Sequence, residues 1–191
     1  MSVKDSCTTA DFLEFDYTLS HALNLLENNE KKVNIAFLII LGIHIGFRIS
    51  DILKLKHRDL YCQDYFSINE QKSGKNRTVS INKTVKNSYL KFRSKLKCVD
   101  DNDFLFISQK KQVFTIRQVN RLLQAEFKNI NKNISSHSLR KTFGRRVWGN
   151  DNYSEKSLII LSKMFNHETI STTRLYLGIH QGELNDIYLN L

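Results

Sequence analysis

VNIAFLIILGIHIGF, residues Val33 to Phe47, is the most apolar run in the chain, and its reading decides the fold. At 15 residues it is shorter than the roughly 20 that span a bilayer, and it contains His44. It does not sit at the N-terminus behind a basic stretch, as a signal peptide would. The pattern predicts a helix from Lys31 to Ile45 that is apolar on nearly every side. Such a helix has to be wrapped by other elements, so it marks the centre of a globular core.

Outward from this helix the periodicity stays mostly helical. Phe12, Phe15, Leu19, Ala22, Leu23 and Leu26 recur at three- and four-residue spacing and predict a helix over Asp11 to Asn28. On the other side Gly46 breaks the apolar helix, and Ser50 is placed to cap a short one from Asp51 to Leu55. Tyr61 to Asn69 and Arg77 to Ile81 are rich in aromatic and β-branched types and predict a hairpin. Its turn, Glu70 to Asn76, is basic. Further helices are expected over Lys83 to Lys97, Thr115 to Asn129, Ser138 to about Trp148, Ser154 to Phe165, Thr169 to Leu177 and Gly182 to Leu189. Phe104 to Ile107 reads as a short buried segment. The expected fold class is mainly α with a small antiparallel β-sheet.

The 191 residues fit one domain of above-average size. No proline is present, which excludes a polyproline scaffold and permits long unbroken helices. Cys7, Cys62 and Cys98 are odd in number and far apart, so they frame neither a disulfide scaffold nor a zinc site. Free thiols in a reducing cytoplasm are the simplest expectation. The formal charge of +10 is unevenly spread, with −3 over residues 1–47 and +13 over the remainder. Between Lys110 and Asn150 ten basic residues face one acidic residue, Glu126. A single-signed surface of this kind points to a polyanion, with nucleic acid ahead of an anionic membrane.

Four clusters carry chemistry: Gly46-Phe47-Arg48-Ile49-Ser50-Asp51, Lys72 in the hairpin turn, His137-Ser138-Leu139-Arg140, and His167 with Tyr176 nine residues later. Singly, each has an ordinary reading. An arginine before a helix is commonly ion-paired, and a turn lysine is commonly solvated. Their order is more informative. The first cluster is similar to the G-x-R-x-S-E/D box of the tyrosine recombinases, or phage integrases. The second box of that family, H-x-L-R-x-T-F, is matched by His137, Leu139, Arg140, Thr142 and Phe143. The third, L-G-H-x-x-I-x-T-T-x-x-Y, is matched by His167, Ile170, Thr172, Thr173 and Tyr176. The resemblance covers about residues 30–180, and it implies the catalytic-domain fold of DNA breaking–rejoining enzymes.

In two places the chain departs from the pattern. Asn166 replaces the glycine before the histidine, and asparagine is the next most tolerant residue if that position is left-handed. Lys141 replaces a histidine that often follows the second arginine, at a position outside the catalytic set.

The resemblance implies Arg48, Lys72, His137, Arg140, His167 and Tyr176 as catalytic residues, and the residue types suit that chemistry. Two guanidiniums can hold the non-bridging oxygens of a phosphodiester in a planar fork that lysine cannot reproduce. Tyr176 would attack as a covalent nucleophile, with an ordinary pKa near 10 that calls for a base or a cationic setting. His137 would take its proton, His167 would hydrogen-bond the phosphate, and Lys72 would protonate the 5′ leaving oxygen. Asp51, one turn from Arg48, is expected to orient it. Lys110, Lys111, Arg117, Arg121, Arg145 and Arg146 are expected on duplex phosphates, with Gln118 and Arg121 able to reach base edges. No metal or other cofactor is expected, and no P-loop is present.

The activity implied is site-specific recombination of double-stranded DNA through a 3′-phosphotyrosine, in integration, excision or inversion of a DNA element. A type IB topoisomerase and a non-catalytic DNA-binding regulator are the rival readings. Leu184, Ile187, Leu189 and Leu191 form an apolar stripe on a tail that would fold onto its own domain or dock on a neighbouring protomer of a tetramer on DNA. Without DNA a monomer or weak oligomer is expected. About 30 residues precede the first matched helix, too few for the N-terminal core-binding domain of larger integrases. Residues 1–191 are therefore expected to be one catalytic domain, comparable in length to the short fimbrial phase-variation recombinases, or else a fragment of a longer integrase.

Overall fold

The computed structural model describes residues 9–72 and 74–179, so the expected tail stripe and the helix over Gly182 to Leu189 lie outside the described residues. Within that span the order is α1 (Phe15–Asn28), α2 (Val33–Ile45), α3 (Ile49–Ile52), β1 (Tyr65–Asn69), β2 (Asn76–Ser80), α4 (Lys83–Ser94), α5 (Ile116–Glu126), α6 (Ser136–Asn150), α7 (Glu155–Phe165) and α8 (Ile170–Leu177). Short 3₁₀ turns at Glu30–Lys32 and His57–Asp59 join neighbouring elements. The sheet seen among the described residues is the antiparallel pair β1–β2, with Tyr65 opposite Ser80 and Asn69 opposite Asn76.

Helix α2 is the centre of the core. Phe37, Leu38, Ile39, Ile40, Leu41 and Ile43 are fully buried, and α1, α4 and α6 pack around them. Phe37 stacks on Phe92 of α4 at 4.7 Å between ring centroids, and Phe106 completes the cluster. A second, smaller cluster gathers Leu158, Leu161, Phe165, Tyr176 and Leu177 from α7 and α8, roofed by Phe143, Val147 and Trp148 of α6. No helix among the described residues is long and apolar enough to cross a membrane.

Several boundaries differ from the sequence expectation for local reasons. Helix α1 begins at Phe15 rather than Asp11, because Glu14 caps it by accepting from the Asp16 and Tyr17 amides. The residues before it are tied elsewhere: Asp11 N–H donates to the Asn133 carbonyl and Leu13 N–H to Thr142 Oγ1, each at 2.9 Å. Strand β1 begins at Tyr65 rather than Tyr61, since Cys62 takes a positive φ of 55°, which an extended strand does not admit. Ser50 does not cap α3: the helix starts at Ile49, with Arg48 at the cap position in extended conformation. At α6 the cap is Ser135, and Ser138 is its reciprocal partner three residues on.

Candidate active site

Helix α2 ends in a left-handed residue, Gly46, with φ at 63°. A side chain there would be strained, and its Cβ would stand 2.2 Å from Phe143 Cδ1. This tight turn buries Phe47 and delivers Arg48 to the mouth of a cavity of about 160 Å³ between α3, α5 and α6. Arg48, Ser50, Asn120, Ser136, His137 and Arg140 are among the residues lining it. Asn120 fixes the entry to α6 by accepting from the Ser136 amide at 2.9 Å.

Arg48 and Arg140 meet at one atom, the Phe165 carbonyl at the C-terminal end of α7. Arg48 Nη2 donates to it at 3.2 Å and Arg140 Nη2 at 3.1 Å. A helix C-terminus carries partial negative charge, so it holds two cations side by side without a carboxylate between them. Arg140 is 3% exposed, its guanidinium lies 4.3 Å over the Phe165 ring, and its Nη1 has no hydrogen-bond partner. Burial pulls its pKa down to about 10, with Arg48 adding to the effect, and the group stays charged at neutral pH.

Opposite the arginines stand Tyr176 and the two histidines. His137 Nδ1 is 3.4 Å from the Tyr176 hydroxyl, with the rings edge to face. Burial holds His137 below the ordinary imidazole pKa, helped by Arg140, Lys141 and Arg48, so the neutral base is its resting form. His167 follows Asn166, which closes α7 in the left-handed conformation with φ 54° and ψ 50°. Asparagine thus serves at the position where the family pattern has glycine. His167 Nδ1 pairs with Thr173 Oγ1 at 3.0 Å, and its ring centroid is 5.2 Å from that of Tyr176.

The sequence expectation for Asp51 is corrected. Asp51 is fully buried, but its Oδ1 accepts from the Gln71 amide at 2.9 Å rather than from Arg48. The carboxylate on Arg48 is Glu70, whose Oε2 accepts from Arg48 Nη1 at 3.1 Å and whose Oε1 accepts from Arg77 Nη1 at 2.9 Å. Helix α3 is only one turn long, and the first residues of the hairpin turn, Glu70 and Gln71, reach Arg48 and Asp51.

Glu70 and Arg77 escaped the sequence reading. The available signal was that Glu70 is the only acidic residue between Asp64 and Asp100. Arg77 also donates to the Met164 carbonyl, and Lys75 Nζ donates to Asn166 Oδ1 at 2.7 Å. The hairpin is therefore pinned to α3, to Arg48 and to the end of α7. Lys72 sits exposed in its turn, and no hydrogen bond joins it to the cluster among the described residues.

The expected DNA-contact residues divide into two groups. Lys110, Lys111, Arg117 and Arg121 are exposed. Gln118 is engaged in the α5 cap, its Oε1 accepting from the Thr115 amide at 2.8 Å. The side chains of Arg145 and Arg146 both have partners within the chain, Arg145 half-buried and Arg146 in a surface ion pair. Arg145 donates to the Leu177 carbonyl at 3.1 Å and lies over the Phe12 ring, while Arg146 pairs with Asp16 at 3.0 Å. These two arginines tie α6 to the N-terminal segment and to α8, where the sequence reading had set them on phosphates.

The chain is similar to known proteins in sequence and in fold. A probable integrase/recombinase of Bacillus subtilis, YoeC, is 30% identical over 166 residues, covering 86% of each chain. Tyrosine recombinase XerC of Caldanaerobacter subterraneus subsp. tengcongensis is 27% identical over 86% of this chain, which spans 46% of that relative's length. Among solved structures, XerH site-specific recombinase bound to a palindromic difH substrate superposes with a TM-score of 0.63. The match covers 95% of this chain and 53% of XerH at 21% identity. A likeness of fold at that identity would leave the family open. The family model for phage integrases settles it, because it matches continuously from residue 17 to residue 182: this chain belongs to the phage integrase family.

Proposed function

We propose that the chain is a site-specific DNA recombinase that breaks and rejoins duplex DNA through a 3′-phosphotyrosine. The observation that carries this reading is the gathering of Arg48, Arg140 and His137 around one small cavity, with the Tyr176 hydroxyl 3.4 Å from His137 Nδ1. A scissile phosphate entering that cavity would take up the guanidinium donors not engaged by the Phe165 carbonyl. Tyr176 Oη then forms a bond to phosphorus as the bond from phosphorus to O5′ breaks. The phenol proton passes to His137, and Lys72 supplies a proton to the leaving O5′.

His167 donates to a phosphate oxygen, while Asp51 and Glu70 hold the hairpin that carries Lys72. Every proton and charge in this scheme belongs to a side chain, so it calls for neither a metal nor ATP. Because the ester keeps the energy of the broken bond, a second 5′-hydroxyl can reverse the step and join new ends. The exposed Lys110, Lys111, Arg117 and Arg121 would follow the duplex backbone, with affinity falling as salt rises. We take the working unit to be four protomers on DNA in the cytoplasm, excising, integrating or inverting an element.

The test is trapping on nicked duplexes cut from the DNA that flanks the gene, each labelled at one strand end. A label at the 5′ end of the cleaved strand should shift with the protein on a denaturing gel, and a label at its 3′ end should not. The reverse pattern would overturn the proposed polarity. The acid midpoint of the trapping rate should also lie below the ordinary imidazole value of 6.5, because burial and nearby cations disfavour protonation of His137. An acid midpoint at or above 6.5 would remove His137 as the base.

A further inference from the structure

Lys141 follows Arg140 on α6, where the family pattern often has a histidine. It is only 5% exposed, an unusual position for an ammonium group. Its Nζ donates to the Ala10 carbonyl at 2.6 Å and stands 5.3 Å over the face of the Tyr176 ring. It does not line the cavity that holds Arg48 and Arg140. A buried cation carries a desolvation cost, and in this place it adds to an environment already rich in positive charge. Its one-sided position against the tyrosine suggests what that cost secures.

We propose that Lys141 is a positioning residue for Tyr176, a fixed cation that stabilises the phenolate developing as the hydroxyl attacks. The proposal rests on the reading of Tyr176 as the nucleophile. Among the described residues, the charged and titratable groups that face this tyrosine include His137, Arg140 and Lys141 from α6 and His167 from the turn before α8, with Arg48 and Glu70 beyond Arg140. When a phosphate enters, its negative charge offsets Arg48 and Arg140. Lys141 is held on the ring side by the Ala10 carbonyl and does not line the cavity that the phosphate would enter. An opposite charge within about 4–6 Å shifts an acid toward its ionised form by roughly one to three pH units. The same cation opposes protonation of His137.

Single-turnover trapping between pH 6 and pH 10 separates this role from a merely structural one. Lys141→Met should lose about tenfold in rate at pH 7 and move both limbs of the profile up by about one unit. It should approach the wild-type rate near pH 9.5, and Lys141→Arg should stay within about threefold of wild type throughout. A uniform loss at every pH, or an unmoved profile, would overturn the proposal and leave Lys141 as a tether for the N-terminal segment. A second reading needs no variant at this site. The ultraviolet titration of Tyr176, taken as the difference between wild type and Tyr176→Phe, should fall below the ordinary value of 10. A midpoint at or above 10 would defeat the idea even if Lys141→Met failed to fold. If wild type forms no adduct, it is the nucleophile assignment that fails, and the titration still reports on Lys141.

Discussion

Tyr176→Phe should fold normally, shift duplex DNA in a gel with unchanged affinity and form no covalent adduct at all. The expectation of intact folding comes from the surroundings of the ring. Tyr176 is 8% exposed and packs edge-on against Phe165 and His167, contacts that phenylalanine keeps. The hydrogen bond to His137 is long at 3.4 Å, so its loss should cost no more than about 1 kcal/mol of stability. The chemistry has no such substitute, since the covalent bond is made by the deleted oxygen. An adduct that persists in this variant would remove Tyr176 from the mechanism, and mapping the attached peptide would show which residue takes its place.

Arg140→Lys is expected to slow single-turnover cleavage by two to three decades, about 3–4 kcal/mol in the barrier, while DNA affinity changes little. The charge is kept, so the loss isolates the value of the fork. Arg140 uses Nη2 on the Phe165 carbonyl, stacks its plane on the Phe165 ring and still presents Nη1. An ammonium on a flexible stem cannot serve the carbonyl and a phosphate oxygen together in fixed geometry. A variant within tenfold of wild type would mean that position 140 contributes charge alone. Measuring cleavage at saturating DNA separates this outcome from weakened binding.

The fold was largely legible because its determinants are local. The all-round apolar character of Ile35 to Ile43 located the central helix. Thr115, Ser154 and Thr169 stood at the starts of three helices that they do cap. The hairpin was visible in its turn residues. Legibility ended where contacts cross long stretches of chain. Lys75 and Asn166 are 91 positions apart, and nothing in either neighbourhood announces the other. The same limit misdirected Asp51: helical spacing set it beside Arg48, but the hairpin claims its carboxylate and offers Glu70 in exchange. Arg145 and Arg146 looked like surface charge, because sequence cannot show that aromatic rings at Phe12 and Phe15 lie beneath them. Lys141 read as a neutral replacement for the same reason, its neighbour Tyr176 being 35 positions on.

The smaller hydrophobic cluster bears on how the molecule opens. Arg48 is flanked by Phe47 and Ile49 of the large core around α2, whereas Tyr176 belongs to the five-membered cluster of α7 and α8, which both arginines reach at Phe165. Local opening free energy follows buried apolar contact, so the segment bearing the tyrosine is the part that can detach at least cost while the arginine scaffold stays folded. The two halves of the reaction are thus mounted on bodies of unequal cohesion. On the proposed mechanism, the chain could withdraw its tyrosine from a phosphate while the fold that carries the arginines stays intact.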